Sequence, residues 1–230
     1  ISMNGSVVLP SFNRARLLPI TIPTYFQEDV SEVILVDDCS SDNTAEVVKE
    51  LQTRFPTLRY FRNEVNSKQP YTQNVAISKV QSEYIYFGDD DSVLYPGSIR
   101  NLLNVMREKN ADIVGGRALA LFFPEQIDEL DEFLSHYRNR IATEANQIVD
   151  LSTLSTSFTY TVKEPIRVPF CHASCLCKTQ VAREMQFDVK IEGNAYREET
   201  DFLIRATLAG YTIYYTSSAN QINLPPAMCS

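Results

Sequence analysis

One pattern occurs twice and constrains the fold more than any other: an apolar run that ends in clustered carboxylates and is followed by a helix. Glu32-Val-Ile-Leu-Val36 runs into Asp37-Asp-Cys-Ser-Ser-Asp-Asn-Thr44, and Tyr84-Ile-Tyr-Phe87 runs through Gly88 into Asp89-Asp-Asp91. β-Branched and aromatic residues in runs of this length suit buried strands, and an unbroken apolar run suits a central parallel one. Gly88 is expected to let the backbone turn at no steric cost. Parallel strands need crossovers, and helical periodicity supplies them: Val48, Leu51 and Phe55 in one segment, Ile99, Leu102, Leu103 and Met106 in another.

Taken in order, Ser6–Leu9 reads as a first strand ended by Pro10. Asn13 is a plausible N-cap for a helix from about Arg14, short or broken because of Pro19 and Pro23. Asn43 and Glu46 have capping-box spacing. Leu58–Phe61 is a third strand, residues 63–71 are irregular, and a helix runs from about Thr72 to Val80. Another helix starts at Pro96 or Ser98, and Asp112–Gly115 is a further strand. The alternation implies an α/β fold with a mostly parallel central sheet and helices on both faces.

The second half is less regular. Ile127, Leu130, Phe133, Leu134 and Tyr137 predict one face of a helix over 124–145, reading as core or interface. Residues 151–168 are read as short strands and loops, and 173–184 as weakly helical. A helix opens near Tyr196 with Phe202, Ala206 and Ala209 inward and Gly210 as its C-cap. Tyr211–Tyr215 closes the pattern, with 220–230 as a tail.

The 230 residues are 44% hydrophobic, enough for one domain with a sizeable core, divided at about residues 95/96. The formal net charge of −8 argues against nucleic acid as a partner. Cys39, Cys171, Cys175, Cys177 and Cys229 are odd in number, so a reducing compartment is expected, and Cys171, Cys175 and Cys177 fit no zinc spacing and read as buried structural thiols. No signal peptide opens the sequence, and no apolar run approaches the ~18 residues of a membrane span. A cytoplasmic location follows, with peripheral association at the cytoplasmic membrane face left open.

Neighbouring strand ends in a parallel sheet converge on one crevice. Three adjacent carboxylates repel one another, and a hard divalent cation relieves this, taking one or two carboxylates and completing its shell from phosphates and water. One acidic edge then suits a Mg²⁺ or Mn²⁺ diphosphate site, and the other can accept hydrogen bonds from a base or ribose. A dinucleotide-binding fingerprint and a P-loop are both absent.

Four segments in order resemble the family 2 glycosyltransferases, which have the GT-A fold: Pro10-Ser-Phe-Asn13, Val36 to Thr44 (with Cys39 where the family usually has Gly), Asp89-Asp-Asp91, and Arg197-Glu-Glu-Thr-Asp201. The resemblance implies a metal-dependent inverting transfer of sugar from a nucleotide-diphosphate donor, UDP-sugar favoured, to a glycan, lipid-linked or polysaccharide hydroxyl. It implies donor contacts from Pro10, Phe12, Asn13, Asp37, Asp38, Asp89 and Asp90, and metal ligation by Asp91 with Asp89. Glu199 stands at the general base, with Glu198 the runner-up, and His172 and Asp201 border the acceptor. Two departures are visible: Gln73 replaces a usual Arg, leaving Lys68 as a candidate for the phosphates, and Asn223 stands where many members have a metal-binding His. They keep open a second reading, a catalytically degenerate GT-A-like domain that binds a sugar nucleotide or a partner protein. A sugar nucleotidyltransferase is disfavoured because its Gly-rich basic opening loop is missing.

Overall fold

The computed structural model describes residues 4–190 and 198–230. The first half follows the expected alternation: β1 (Gly5–Ser11), α1 (Leu18–Tyr25), β2 (Val30–Asp37), α2 (Thr44–Arg54), β3 (Leu58–Arg62), α3 (Lys68–Lys79), β4 (Tyr84–Phe87), β5 (Ser92–Leu94), α4 (Ser98–Lys109) and β6 (Ile113–Ala120). After a 3-10 turn at Pro124–Glu129 come α5 (Leu130–Ser135), α6 (Ala145–Ile148), a small ribbon of β7 (Val149–Asp150) and β8 (Ser155–Thr156), and β9 (Ile166–Arg167). Then come β10 (Cys175–Lys178), α7 (Thr179–Met185), α8 (Glu198–Leu208), β11 (Ile213–Asn223) and α9 (Pro226–Cys229).

The main sheet has the order β3-β2-β1-β4-β10-β6-β11-β5, with β9 also on β11. β1 to β4 are mutually parallel, and β11 is parallel to β6. β10 runs antiparallel between β4 and β6, so β4 and β6 share a direction and their carboxyl ends form one edge. One face packs Val8, Ile34, Phe87 and Ile113 under α3, α7 and α8, and the other packs Val7, Leu35, Tyr86 and Val114 under α1, α2 and α4.

Several expectations change. Residues 175–178 are not helical but form β10, because Cys175, Leu176 and Cys177 are buried between two strands. The expected tail begins as sheet: β11 runs on to Asn223. The 124–145 helix is broken into the 3-10 turn and α5, yet Phe133 with Ile127, Leu130, Leu134 and Tyr137 still packs one apolar cluster against Leu121, Ile222 and Leu224. In α8 the inward residues are Phe202, Leu203 and Ala206, whereas Ala209 is exposed. Gly210, at φ +97°, ends the helix as expected. Tyr196 and Arg197 lie outside the described residues. α3 starts earlier than predicted, at Lys68, for a reason that belongs to the site.

Loop details differ as well. Asn13 is not an N-cap: it has φ 53°, and its Oδ1 accepts the Ser41 N–H at 2.8 Å, tying the β1 loop to the β2 loop. Asn43 makes no side-chain cap; Asp42 Oδ1 accepts the Thr44 N–H instead. Gly88 is required by close approach, since a Cβ there would stand 2.7 Å from Leu9 Cδ2 and 2.9 Å from the Tyr25 ring.

Cys39 has φ 64°, a left-handed conformation that penalises a Cβ by about 1–2 kcal/mol. Cys39→Gly should therefore be more stable than Cys39→Val by about 1–2 kcal/mol or more, because β-branching adds to the penalty. Urea unfolding of the two variants checks this, and equal midpoints would refute it.

Candidate active site

The carboxyl ends of β1, β2 and β4 enclose a cleft of about 260 Å³ lined by Pro10, Ser11, Phe12, Arg14, Asp38, Gln69, Thr72, Asp89 and Asp90. The sequence reading anticipated Pro10, Phe12, Asp38, Asp89 and Asp90. It missed Ser11, Arg14, Gln69 and Thr72. Arg14 follows Asn13 in the opening loop, a signal that was available; nothing in the sequence marks Gln69.

Asp38 is buried and its carboxylate is held by three donors. Oδ1 accepts Asn63 Nδ2 at 2.9 Å and Ser67 N at 2.7 Å, and Oδ2 accepts Lys68 N at 2.8 Å. The last two are orphan amides of the α3 N-terminus, so Asp38 starts that helix at Lys68. Lys68 takes φ 70° to present its amide, and its side chain does not line the cleft. Asp37 faces inward at 1% exposure, accepting Tyr60 Oη at 2.5 Å and Ser40 N at 2.8 Å, with Arg62 at 3.5 Å. Asp37 thus braces the β2 loop, and only Asp38 of the pair reaches the cleft.

The Asp89 loop hangs on Tyr25. The Tyr25 hydroxyl accepts Asp89 N at 3.0 Å and Gln221 Nε2 at 2.9 Å, and donates to Asp89 O at 2.9 Å. Gln221 is held in turn by the Tyr86 hydroxyl at 2.7 Å. Ser174 Oγ donates to Asp89 Oδ2 at 3.1 Å. Arg14 Nε stands 3.8 Å from Asp90. Burial, then the charge of Asp91, pushes Asp89 up to about 6 and Asp90 up to about 7.

α8 brings Glu198 and Glu199 to the same edge. Gln69 Nε2 donates to Glu199 Oε1 at 3.1 Å. Burial, then the charges of Asp89 and Glu198, pushes Glu199 up to about 8. Glu198 is fully buried, neither of its carboxylate oxygens meets a donor, and desolvation pushes it up to about 7. Asp201 is paired with Arg205 at 2.8 Å within α8. His172 accepts the Ser174 N–H on Nδ1 at 3.0 Å and packs edge-on against Phe158; burial pushes it down to about 4, so it stays neutral.

The departures have structural consequences. Gln73 is buried and its Oε1 meets no donor, so it does not reach the cleft. Asn223 Oδ1 accepts Ser92 Oγ at 2.6 Å, and Ser92 also reaches Asp91 Oδ1 at 3.3 Å. Among the described residues no three His, Cys, Asp or Glu side chains converge to hold an ion by themselves. The oxygen donors of Asp89 and Asp91 fit a hard cation that brings phosphate and water ligands with it. Cys171, Cys175 and Cys177 are free and buried, as the spacing implied. No helix among the described residues is long and apolar enough to cross a membrane.

Known proteins resemble this chain in sequence and in fold. Over 113 residues, 48% of this chain and 37% of the relative, the sequence is 34% identical to the GalNAc(5)-diNAcBac-PP-undecaprenol beta-1,3-glucosyltransferase of Campylobacter jejuni. Over 120 residues, 49% of this chain and 36% of the relative, it is 32% identical to the poly(ribitol-phosphate) beta-N-acetylglucosaminyltransferase TarP of Staphylococcus aureus. The chain spans little more than a third of the length of these two relatives. The crystal structure of S. aureus TarS 1-349 in complex with UDP-GlcNAc matches with a TM-score of 0.68 at 17% identity, covering 99% of this chain and 61% of that one. The mannosyltransferase PcManGT from Pyrobaculum calidifontis, in complex with GDP-Man and Mn2+, matches at 0.67 and 16% identity, covering 96% and 56%. These likenesses establish the GT-A fold. Residues 6–172, from β1 through both acid-ended strands to His172, match the glycosyl transferase family 2 profile, and the chain belongs to that family.

Proposed function

We propose that this chain transfers a sugar, with inversion, from a nucleoside-diphosphate donor to a hydroxyl of a glycan, polysaccharide or lipid-linked acceptor. One observation carries the reading: Glu199, a partly buried carboxylate at this edge, is hydrogen-bonded to Gln69, which lines the cleft shared with Asp38 and Asp89. Inversion needs a carboxylate that takes the acceptor proton on the face opposite the leaving group. Glu199 fills that role, and Glu198, with no donor to orient it, is the lesser candidate.

In this reading the base stacks between Pro10 and Phe12 and bonds to Asp38, whose geometry is fixed by the α3 amides. Residues up to about 95 bind the donor and those after it the acceptor. A Mn²⁺ or Mg²⁺ ion would be held by Asp91 and Asp89, and when bound it would stabilise charge on the departing diphosphate. Arg14 faces the same charge from the cleft wall. UDP is the favoured nucleotide, in keeping with the TarS structure in complex with UDP-GlcNAc, while the PcManGT structure holds GDP-Man on the same fold. Peripheral membrane attachment at the cytoplasmic face is compatible with a lipid-linked acceptor.

A thermal-shift series with UDP, GDP, dTDP and CDP, each with and without Mn²⁺, tests the donor site. One nucleotide at a hundred times its dissociation constant should add about 2.7 kcal/mol in the presence of metal. Asp91→Ala should lose the metal-dependent part. No metal-linked shift with any nucleotide would favour the degenerate binding domain instead.

The pH dependence of donor hydrolysis tests the base. A carboxylate acting as base must be ionised, so the rate should rise with pH on its acid limb. Cation binding opposite Asp89 removes part of the like-charge repulsion on Glu199. The limb should therefore lie between the ordinary 4.5 and about 8. Glu199→Gln should abolish it while nucleotide binding persists; an unchanged limb would assign the base elsewhere.

A further inference from the structure

We propose that the second half of the chain carries a phosphate-binding site, built on Arg117 and Arg140, that takes a phosphate group of the acceptor. The word acceptor rests on the transferase reading; the anion site itself does not.

A buried guanidinium is ordinarily paired with a carboxylate, because its desolvation is otherwise uncompensated. Arg117, on β6, is 8% exposed and has only neutral partners. Its Nε donates to Asn220 Oδ1 at 2.7 Å and its Nη1 to Thr161 Oγ1 at 3.1 Å. Arg140 lies 4.3 Å over the Tyr160 ring, and its Nη2 donates to Ser157 Oγ at 3.3 Å. Neither arginine belongs to any ion pair among the described residues. The chain has 29 acidic residues against 21 Lys and Arg, so a pair of unneutralised arginines is not a matter of supply.

The two converge on one segment, residues 157–161. Thr161 N donates to the Arg140 carbonyl at 2.7 Å, the Tyr215 hydroxyl donates to Tyr160 O at 2.5 Å, and both guanidiniums act electrostatically on Tyr215. The Ser157 and Thr159 hydroxyls sit beside each other at 3.1 Å. Each guanidinium has five donors and spends only one or two of them within the protein. Two cations with spare donors and adjacent hydroxyls match the tetrahedrally arranged free oxygens of a phosphate group better than a planar carboxylate, which one arginine satisfies alone.

The position is appropriate for an acceptor. Tyr86 of β4 and Val114 of β6 are both paired with Leu176. Three residues further along the chain from each stand Asp89, in the loop just after β4, and Arg117, within β6, so both lie toward the carboxyl-end side of the sheet. Arg117 shares the face of Ile113, the face that α8 covers and from which Glu199 is presented. A phosphate held there would stand beside the hydroxyl that Glu199 deprotonates, as in a polyol-phosphate chain or a lipid diphosphate.

The test follows the arginine Nε–Hε signals by ¹H–¹⁵N NMR, assigned with Arg117→Lys and Arg140→Lys. The probes are sn-glycerol 3-phosphate, inorganic pyrophosphate and glucuronate, each with and without excess UDP and Mg²⁺. Both phosphate probes should move the Arg117 and Arg140 signals whether or not UDP is present, and glucuronate should bind more weakly. Stronger binding of glycerol 3-phosphate points to a phosphodiester chain, and stronger binding of pyrophosphate to a lipid diphosphate; either supports the site. Exposed Arg140→Gln, which spares the fold, should weaken binding about tenfold, the value of one charge-assisted hydrogen bond. Signals unmoved by either phosphate, equal binding of glucuronate, or loss of the shift on adding UDP would each overturn the proposal. Should no nucleotide bind while the phosphate shifts remain, the anion site stands and the transferase reading falls.

Discussion

The site depends on one buried hydroxyl. Tyr25 ends α1 beneath the sheet edge, and its single oxygen accepts from Asp89 N and Gln221 Nε2 while donating to Asp89 O. That oxygen joins three parts of the chain: the first helix, the acid loop after β4 and the last strand. Gly88 exists to let it in, since any Cβ there would collide with the Tyr25 ring. The acid loop is therefore fixed through its backbone, which leaves the three carboxylates unneutralised by the scaffold apart from Arg14 beside Asp90. Burial and the charge of Asp91 then raise the proton affinity of Asp89 and Asp90. A cation and a diphosphate would relieve a strain that the fold itself maintains.

Asp38 shows the same economy on the other acidic edge. Its carboxylate caps α3, and α3 carries Gln69 to Glu199. A nucleotide that bonds to Asp38 would press on the same helix turn that orients the proposed base. Donor binding and base alignment are thus mechanically adjacent, with Lys68 in a left-handed conformation as the joint.

Local pattern made the first half legible. Each strand there is a run of apolar residues with its own helix behind it, and the two acid-ended runs announce the edge where the cleft lies. The second half hid its strands for physical reasons. β10 is a four-residue strand, Cys-Leu-Cys-Lys, defined by its two neighbours and not by any period of its own. β11 turns polar after Tyr215, with Thr216, Asn220 and Gln221 buried by their sheet neighbours, so its end from Asn220 to Asn223 reads as tail. The 124–145 stripe was correctly apolar but not continuous, since packing against Leu121 and Leu224 needs the side chains and not an unbroken helix. Site residues divided along the same line. Pro10, Phe12, Asp38, Asp89 and Asp90 stand in motifs, whereas Gln69 and Ser174 act through single long-range hydrogen bonds that no local pattern encodes. Asp37 and Asp201 look alike in sequence to their functional neighbours, and only their partners, Tyr60 and Arg205, separate them.

Charge is partitioned across the edge. On the β4 side the carboxylates of Asp89, Asp90 and Asp91 face one arginine, and in the proposed reading a divalent cation with its diphosphate would complete the balance. On the β6 side no ion pair among the described residues holds Arg117 or Arg140. Glu199 stands on the covered face between these fields. A donor whose negative charge travels with a metal would be drawn to the first, and an acceptor that carries its own phosphate would be drawn to the second. Each substrate would be repelled from the other's position: bare phosphate by the acid loop, metal by the paired arginines. The order of the two halves along the sheet would then be set by electrostatics as well as by shape, and the hydroxyl between them would meet Glu199, the proposed base.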